Sequence, residues 1–175
     1  MIYGTKHTRI RKLKETDLND LVEFYSDDQV FIHDLDYPRD RAEVMLIVKR
    51  ILDSYTLTEK NVHRYVIEYK SSNKVIGTIS WKFKDSKGLI CEIGGCLRTD
   101  YSNKGLGTEI FANLIQILFD RDVQQVFCSC SSENVRAIRV IEKLGFQKVG
   151  CNKMAIFKHG RYVDELTFGL MKTDA

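Results

Sequence analysis

Residues 97–109 of the chain read LRTDYSNKGLGTE, and an apolar stretch, LICEIGGCL, runs into them and ends at Leu97. That stretch is typical of a buried strand. After residue 109, apolar residues recur at helical spacing, which predicts an amphipathic helix. They are Ile110, Phe111, Leu114, Ile115 and Leu118. Gly105 and Gly107 therefore lie in a loop between a strand and a helix.

A loop of this kind can bind an anion. Glycine lets the backbone turn so that successive N–H groups point to one side, and the helix N-terminus adds partial positive charge. A dinucleotide fingerprint needs a small residue where this chain has Ile110, and the lysine of a P-loop follows the last glycine, whereas Lys104 precedes both. We expect a phosphate or diphosphate of another kind, with a plain turn before a helix as the alternative.

Farther along the chain, residues 132–146 read SENVRAIRVIEKLGF. Asn134 is a typical helix N-cap, and Gly145 is a typical residue after a helix C-terminus. The segment therefore predicts a helix over 134–144. At the C-terminal end, residues 160–164 read GRYVD, and the strand predicted after them alternates Leu166, Phe168 and Leu170.

The rest of the chain alternates helical and strand patterns. A helix is expected after Thr16 or Asp17, residues 26–39 read as a polar loop, and a capping-box pattern begins a helix at Asp40. The expected buried face of this last helix is Met45, Val48, Leu52 and Tyr55. The predicted order is β-α-α-β-β-β-α-β-α-β-β, a mixed α/β (α+β) fold.

Together these segments resemble the GNAT acetyltransferases. The glycine loop is similar to their [QR]-x-x-G-x-[GA] motif, and 134–146 is similar to N-x-x-[SA]-I-x-x-x-E-K-x-G-F. The GRYVD ending resembles the branch that contains ribosomal-protein N-terminal and spermidine acetyltransferases. The resemblance implies one GNAT domain over residues 1–175, with a central, mostly antiparallel mixed sheet of about seven strands and about four helices.

The resemblance also implies acetyl-CoA as co-substrate, with backbone amides of 103–108 on its diphosphate and the Leu97 region paired with the pantetheine arm. The implied coenzyme-binding residues are Leu97, Arg98, Thr99, Asn103, Lys104, Gly105, Leu106, Gly107, Thr108, Asn134, Ala137 and Arg139. Lys104, Arg136, Arg139 and Lys143 either favour the 3′-phosphate or form a solvated face. Ser102 departs from the family's Gln or Arg, and Ile141 replaces a tyrosine that serves many members as general acid.

The implied reaction is direct attack of a neutral amine on the thioester. Glu92 is the candidate general base, because a carboxylate inside the apolar strand 89–97 should have a raised pKa. The alternative is that Glu92 faces solvent or binds a basic residue.

The acceptor amine decides how much base is needed. Deprotonating a polyamine amine at pH 7 costs about 4.6 kcal/mol, whereas a protein α-amine costs about 1 to 1.4 kcal/mol. A protein N-terminal amine is the expected acceptor, with polyamines and aminoglycosides as alternatives. An acidic loop with Asp27, Asp28, Asp34, Asp36, Asp40 and His33 would suit a cationic acceptor, and the alternative is a polar surface loop without a role in binding. A non-catalytic coenzyme-A-binding module is the alternative of another class.

Bulk composition excludes other classes. The net charge of +3 and the lack of a basic-aromatic cluster argue against nucleic acid, and no apolar run is long enough for a membrane span. The five cysteines lack metal-site spacing, so buried structural thiols and no metal are expected. Their odd number, together with the lack of an export signal, predicts reduced thiols and a cytoplasmic protein. A monomer or a homodimer is expected.

Overall fold

The computed structural model describes residues 2–32, 39–56 and 62–174. The described part contains eight strands: β1 (Tyr3–Gly4), β2 (Thr8–Arg11), β3 (Val62–Tyr69), β4 (Val75–Phe83), β5 (Ile90–Leu97), β6 (Gln125–Ser131), β7 (Gln147–Lys158) and β8 (Arg161–Met171). It contains five α-helices: α1 (Leu18–Tyr25), α2 (Asp28–Phe31), α3 (Arg41–Ser54), α4 (Leu106–Asp120) and α5 (Val135–Lys143).

All eight strands form one mixed sheet in the order β1-β2-β3-β4-β5-β6-β8-β7. Neighbouring strands run antiparallel except for β5 and β6, which are parallel. The predicted mixed, mostly antiparallel sheet and the predicted element order are therefore confirmed. The short strand β1 and the short helix α2 are additions to the predicted order.

Helices cover both faces of the sheet. On one face, α4 and α5 pack through Ile110, Leu114 and Ile141 against the apolar side of β4 and β5. On the other face, α1 and α3 pack against β3 and β4, with Val66 and Val75 at the contact. Two hydrophobic cores on opposite sides of one sheet give a three-layer arrangement.

The predicted loop over 26–39 was partly wrong, because residues 28–31 form α2. The Asp27 carboxylate accepts a hydrogen bond from the Gln29 N–H at 2.9 Å, so it caps this helix. Phe31 is buried and stacks on Tyr25 with ring centroids 5.8 Å apart. Four residues are too few to show a helical period in the sequence, so the sequence did not predict this helix. The burial of Phe31 stabilises it.

The predicted buried face of α3 also needs correction. Val44, Val48 and Ile51 are the buried positions, whereas Met45 is 52% exposed. The capping box itself is confirmed: Asp40 accepts from the Glu43 N–H at 2.9 Å, and Glu43 accepts from the Asp40 N–H at 3.1 Å. The apolar residues of this helix nearly encircle it, so spacing alone does not choose the face.

The ends of α5 are as the sequence predicts. The Asn134 side chain accepts a hydrogen bond from the Ala137 N–H at 3.1 Å. Gly145 has a φ of 89°, and its N–H donates to the Glu142 carbonyl at 3.0 Å. The Phe146 N–H donates to the Ile141 carbonyl at 3.3 Å, which completes a Schellman motif.

Candidate active site

The site forms where β5 and β6 separate. Their parallel pairing joins residues 90–92 to residues 125–127, from Ile90 opposite Gln125 to Glu92 opposite Phe127. Beyond these positions β5 continues to pair with β4 as far as Leu97, while β6 continues to pair with β8. A wedge therefore opens between two parallel strands, and a ligand that enters it can lie beside β5 as an added strand.

Glycines allow β5 to lie close against β4 at the wedge. A Cβ atom at Gly95 would stand 2.4 Å from the Thr78 carbonyl oxygen and 2.9 Å from Ile79 Cα. A Cβ atom at Gly77 of β4 would stand 2.3 Å from the Cys96 carbonyl oxygen. Larger residues at these two positions would force the strands apart, so the glycines shape the wedge.

The predicted anion-binding loop lies at the end of this wedge. Gly105 occupies the N-cap of α4 with a φ of 77°, and Asn103 also has a positive φ, 57°. The first helical hydrogen bond runs from the Glu109 N–H to the Gly105 carbonyl at 3.1 Å. The N–H groups of Leu106, Gly107 and Thr108 precede that bond and therefore point out of the helix end without a helical acceptor. This is a site for an anionic group.

The N-terminal turn of α5 forms the opposite wall. Asn134 and Ala137 both line the cleft, and the Asn134 oxygen is engaged by the helix cap. The Asn134 amide NH₂ remains as a donor toward a ligand. Ile141, which stands where the family often has a tyrosine, also lines the cleft.

The wedge, the loop and the α5 wall enclose one continuous cleft of about 680 Å³. This is within the usual range for small-molecule sites. Eight of the twelve residues expected at the coenzyme line it: Leu97, Thr99, Asn103, Gly105, Gly107, Thr108, Asn134 and Ala137. The structure therefore brings together residues of three separate segments that the sequence analysis had assigned to one ligand.

The other four predicted coenzyme residues do not line the cleft. Arg98 forms ion pairs with Glu23 at 2.7 Å and Asp100 at 3.2 Å. Leu106 is buried in the core, the Lys104 ammonium lies 5.2 Å from the centre of the Tyr101 ring, and Arg139 is exposed. The side chains of these four residues therefore do not form part of the cleft wall.

Glu92 is not among the residues that line the cleft. It lies on the same face of the sheet as Gly94, which does line it, but its carboxylate forms an ion pair with Lys84 at 2.9 Å. The Glu92 side chain is 41% exposed. The expected apolar surroundings were therefore wrong: the neighbours along β5 are apolar, but they point to the other face.

The far half of the cleft is built mainly from apolar side chains of α1, α2 and α3 and their neighbours. They are Leu13, Leu21, Tyr25, Val30, Phe31, Ile32, Ile47 and Ile51. Among the described residues that line the cleft, the charged ones are Arg64 and Arg136, and none is a carboxylate or a histidine. Sequence reasoning missed this wall, because its members come from scattered segments with no shared motif.

The hairpin that joins β7 and β8 supports this wall from outside. The Lys158 ammonium donates to the Phe31 carbonyl at 2.6 Å, and the His159 imidazole lies 3.1 Å from the Ile32 carbonyl oxygen. The C-terminal strands therefore help to position the short helix α2.

The acidic loop was predicted to attract a cationic acceptor. In the part of the loop that the structure describes, two of its carboxylates cap helices instead. Asp27 caps α2 and also contacts the Thr99 hydroxyl at 3.3 Å, and Asp40 caps α3. Asp28 is exposed. His33, Asp34 and Asp36 lie outside the described residues.

The cysteines only partly match the expected buried thiols. Cys91, Cys128 and Cys130 are buried, but Cys96 is half-buried and Cys151 is exposed. Burial raises the pKa of the Cys128 thiol to about 12, with smaller contributions from Cys130 and Glu92. Cys128 lines the cleft as a neutral thiol at pH 7, which is a poor nucleophile.

Neither a metal centre nor a membrane span is found in the described part of the chain. Residues 2–32, 39–56 and 62–174 contain no cluster of three or more histidine, cysteine, aspartate or glutamate side chains suited to a metal ion. No helix within these ranges is both long and apolar enough to cross a bilayer.

The site combines a splayed pair of parallel strands, a glycine-containing helix N-terminus and a deep cleft between them. These features are typical of an enzyme that transfers an acyl group from coenzyme A. Residues 7–147 match the family model described as an acetyltransferase (GNAT) domain. The chain belongs to the GNAT family, and it is an acetyl-CoA-dependent N-acetyltransferase.

Individual relatives are distant but similar over their full length. The uncharacterized N-acetyltransferase p20 of Bacillus licheniformis is 26% identical over 172 residues, which cover 97% of this chain and 96% of p20. The ribosomal-protein-S5-alanine acetyltransferase of Vibrio fischeri has a TM-score of 0.83 at 19% identity, covering 98% of this chain and 97% of that one. The spermidine N-acetyltransferase of Vibrio cholerae has a TM-score of 0.81 at 16% identity, covering 97% and 98%. The two structures share the fold.

Proposed function

We propose that the protein transfers the acetyl group of acetyl-CoA to the α-amine at the N-terminus of a peptide or protein. The observation that carries this proposal is the composition of the far half of the cleft, which is mainly apolar and contains no described carboxylate or histidine. A polyamine or an aminoglycoside carries several positive charges, and no described residue that lines this half of the cleft offers a carboxylate to pair with them.

The cost of deprotonation supports the same acceptor. An α-amine loses about 1 to 1.4 kcal/mol at pH 7 to reach its neutral form, and a polyamine amine loses about 4.6 kcal/mol. Water can accept the proton of the first kind of amine, whereas the second requires a strong base close to it. The described cleft residues include no such base.

In this proposal the coenzyme occupies the near half of the cleft. The backbone amides of residues 103–108 hold the diphosphate, and the free backbone edge of β5 near Leu97 pairs with the pantetheine arm. The amine attacks the thioester carbonyl directly. Coenzyme A is then released as a thiol, and the ordinary pKa of a thiol is about 8.5. The high pKa of Cys128 argues against acetyl transfer through this thiol.

The test is a steady-state comparison of acceptors with acetyl-CoA at pH 7 and pH 9, following thiol release. The panel contains a peptide with a free α-amine, the same peptide blocked at that amine but carrying a lysine, spermidine and kanamycin. We expect the highest kcat/KM at pH 7 for the free α-amine, and a smaller advantage at pH 9 because the lysine amine then loses its proton more readily.

Three outcomes would contradict the proposal. Faster transfer to spermidine at pH 7 would indicate a polyamine acetyltransferase, and faster transfer to kanamycin an aminoglycoside acetyltransferase. Tight coenzyme binding without amine-dependent thiol release would indicate a coenzyme-A-binding module.

A further inference from the structure

Arg64 is a charged residue in the far half of the cleft, which is otherwise built mainly from apolar side chains. It lies on β3 and lines the cleft beside apolar residues such as Leu13 and Ile51. Its backbone is held in place, because the Tyr55 hydroxyl donates to the Arg64 carbonyl at 2.7 Å. No described side chain forms an ion pair or a hydrogen bond with its guanidinium.

The strand register connects Arg64 to the wedge where the thioester is expected. Arg64 lies opposite Ser80 on β4, and Ser80 lies opposite Gly94 on β5. All three residues line the cleft and share one face of the sheet. A Cβ atom at Gly94 would meet only the Ser80 Oγ, at 3.9 Å, so the path across this row is open.

The length of this row suits a short piece of extended peptide. Neighbouring strands are about 4.8 Å apart, so Arg64 lies about 10 Å from Gly94, the span of about three extended residues. An arginine side chain is long and flexible enough to span part of this distance, so its guanidinium can meet the second residue of a peptide whose α-amine lies at β5.

Among the described residues, the charged neighbours of Arg64 do not supply it with a carboxylate partner. In the next row on the same face, Glu92 lies opposite Lys82, and its carboxylate is already paired with Lys84. Arg136 is the other charged residue among the described residues that line the cleft, and it adds further positive charge. A guanidinium beside an apolar wall pairs best with a carboxylate, which it can bind through two parallel hydrogen bonds.

We infer that Arg64 selects acceptor peptides that carry aspartate or glutamate at the second residue. This inference rests on the proposed function, because it requires that the reacting amine be a peptide N-terminus. It makes Arg64 a specificity residue that contacts the acceptor and has no part in the chemical step.

The test uses three peptides that differ at the second residue, which is aspartate, asparagine or lysine. For the wild-type protein we expect kcat/KM to be at least about tenfold higher with aspartate than with asparagine, mainly through a lower KM. Lysine should be poorer still. The Arg64→Gln variant should lose the preference for aspartate, and Arg64→Glu should invert it, so that lysine becomes the best of the three.

Arg50→Gln is the matched control, since it removes the same charge from an exposed position of α3 outside the cleft. It should keep the wild-type order of the three peptides. Equal rates with all three peptides, or a preference that survives Arg64→Glu, would overturn the role of Arg64 and leave N-terminal acetylation standing. Failure to acetylate any of the peptides while spermidine or kanamycin is acetylated would overturn the proposed function itself.

Discussion

At the scale of single residues, the open question in the chemistry is which group removes the proton from the amine. Glu92 stays the candidate for general base, although its carboxylate pairs with Lys84 beside the cleft. The base would then act through a water molecule, because Glu92 does not line the cleft itself.

If Glu92 is the base, Glu92→Gln should lower the transfer rate at neutral pH by more than about tenfold. Lys84→Gln is the matched control, since it breaks the same ion pair and keeps the carboxylate. Rates are measured from pH 6 to pH 9 at saturating acetyl-CoA. A Glu92→Gln variant that matches the wild type over this range, or one that loses no more activity than Lys84→Gln, would show that Glu92 is not the base.

Single residues also show where sequence reasoning stops. Gly105, Gly107 and Asn134 were predictable at the site, because each belongs to a local motif whose geometry has a physical requirement. Arg64 was not predictable, since it is one of several charged residues on a strand and only the register of β3, β4 and β5 places it in the cleft.

At the scale of secondary-structure elements, the separation of β5 from β6 is what makes room for a ligand. Two adjacent glycines of β5 have different roles in it. Gly95 is needed for the close approach of β5 to β4, whereas a Cβ atom at Gly94 would lie in open space within the cleft.

Gly95→Ala should therefore destabilise the protein by about 1–3 kcal/mol, because the new methyl group cannot fit against the Thr78 carbonyl. Gly94→Ala should have little effect on stability. It should raise the KM of the acceptor, because the added methyl group narrows the cleft beside β5. Chemical denaturation and steady-state kinetics on both variants make the comparison. Equal stability of the two variants would contradict this account of the wedge.

Elements with a clear period were predicted well, and short ones were not. The helix α4 and the strand β8 were predicted because their apolar residues recur at a regular spacing. The helix α2 and the strand β1 are too short to show a period, and packing against the rest of the molecule stabilises them. The wedge itself has no local signal, since it depends on the pairing of strands that are distant in sequence.

At the scale of the whole molecule, a buried ionic network ties the N-terminal segment to the central sheet. Arg11 on β2 donates to both carboxylate oxygens of Asp17, at 2.7 and 2.9 Å, and to Glu68 on β3 at 2.6 Å. Arg9 reaches the second oxygen of Glu68 at 2.7 Å. Burial acts to raise the pKa of Glu68, but the hydrogen bonds from Arg11 and Arg9 outweigh it and hold that pKa below its usual value.

This network should make the stability of the protein depend on pH. A carboxyl group with a lowered pKa in the folded state stabilises the fold above its unfolded pKa, about 4.3, and this contribution is lost as the pH falls through the folded value. We expect the free energy of unfolding to fall below about pH 4.5, and to fall less steeply in Glu68→Gln.

Arg11→Met should lower the free energy of unfolding at pH 7 by about 3 kcal/mol, because it leaves the buried Asp17 carboxylate without its cationic partner and leaves Glu68 paired with Arg9 alone. Urea denaturation at pH 3, 5 and 7 provides the measurement for both variants. An Arg11→Met variant as stable as the wild type at pH 7 would show that the network contributes nothing.

We propose that the backbone amides of residues 103–108, at the start of α4, hold the diphosphate of acetyl-CoA and so direct its thioester to the wedge. The most direct test is to follow the amide signals of isotope-labelled protein by NMR during titration with coenzyme A, and with pantetheine, which lacks the diphosphate. We predict large shifts of the signals from residues 103–108 with coenzyme A and small ones with pantetheine. Signals that stay in place while coenzyme A binds elsewhere, or an absence of binding, would contradict the account.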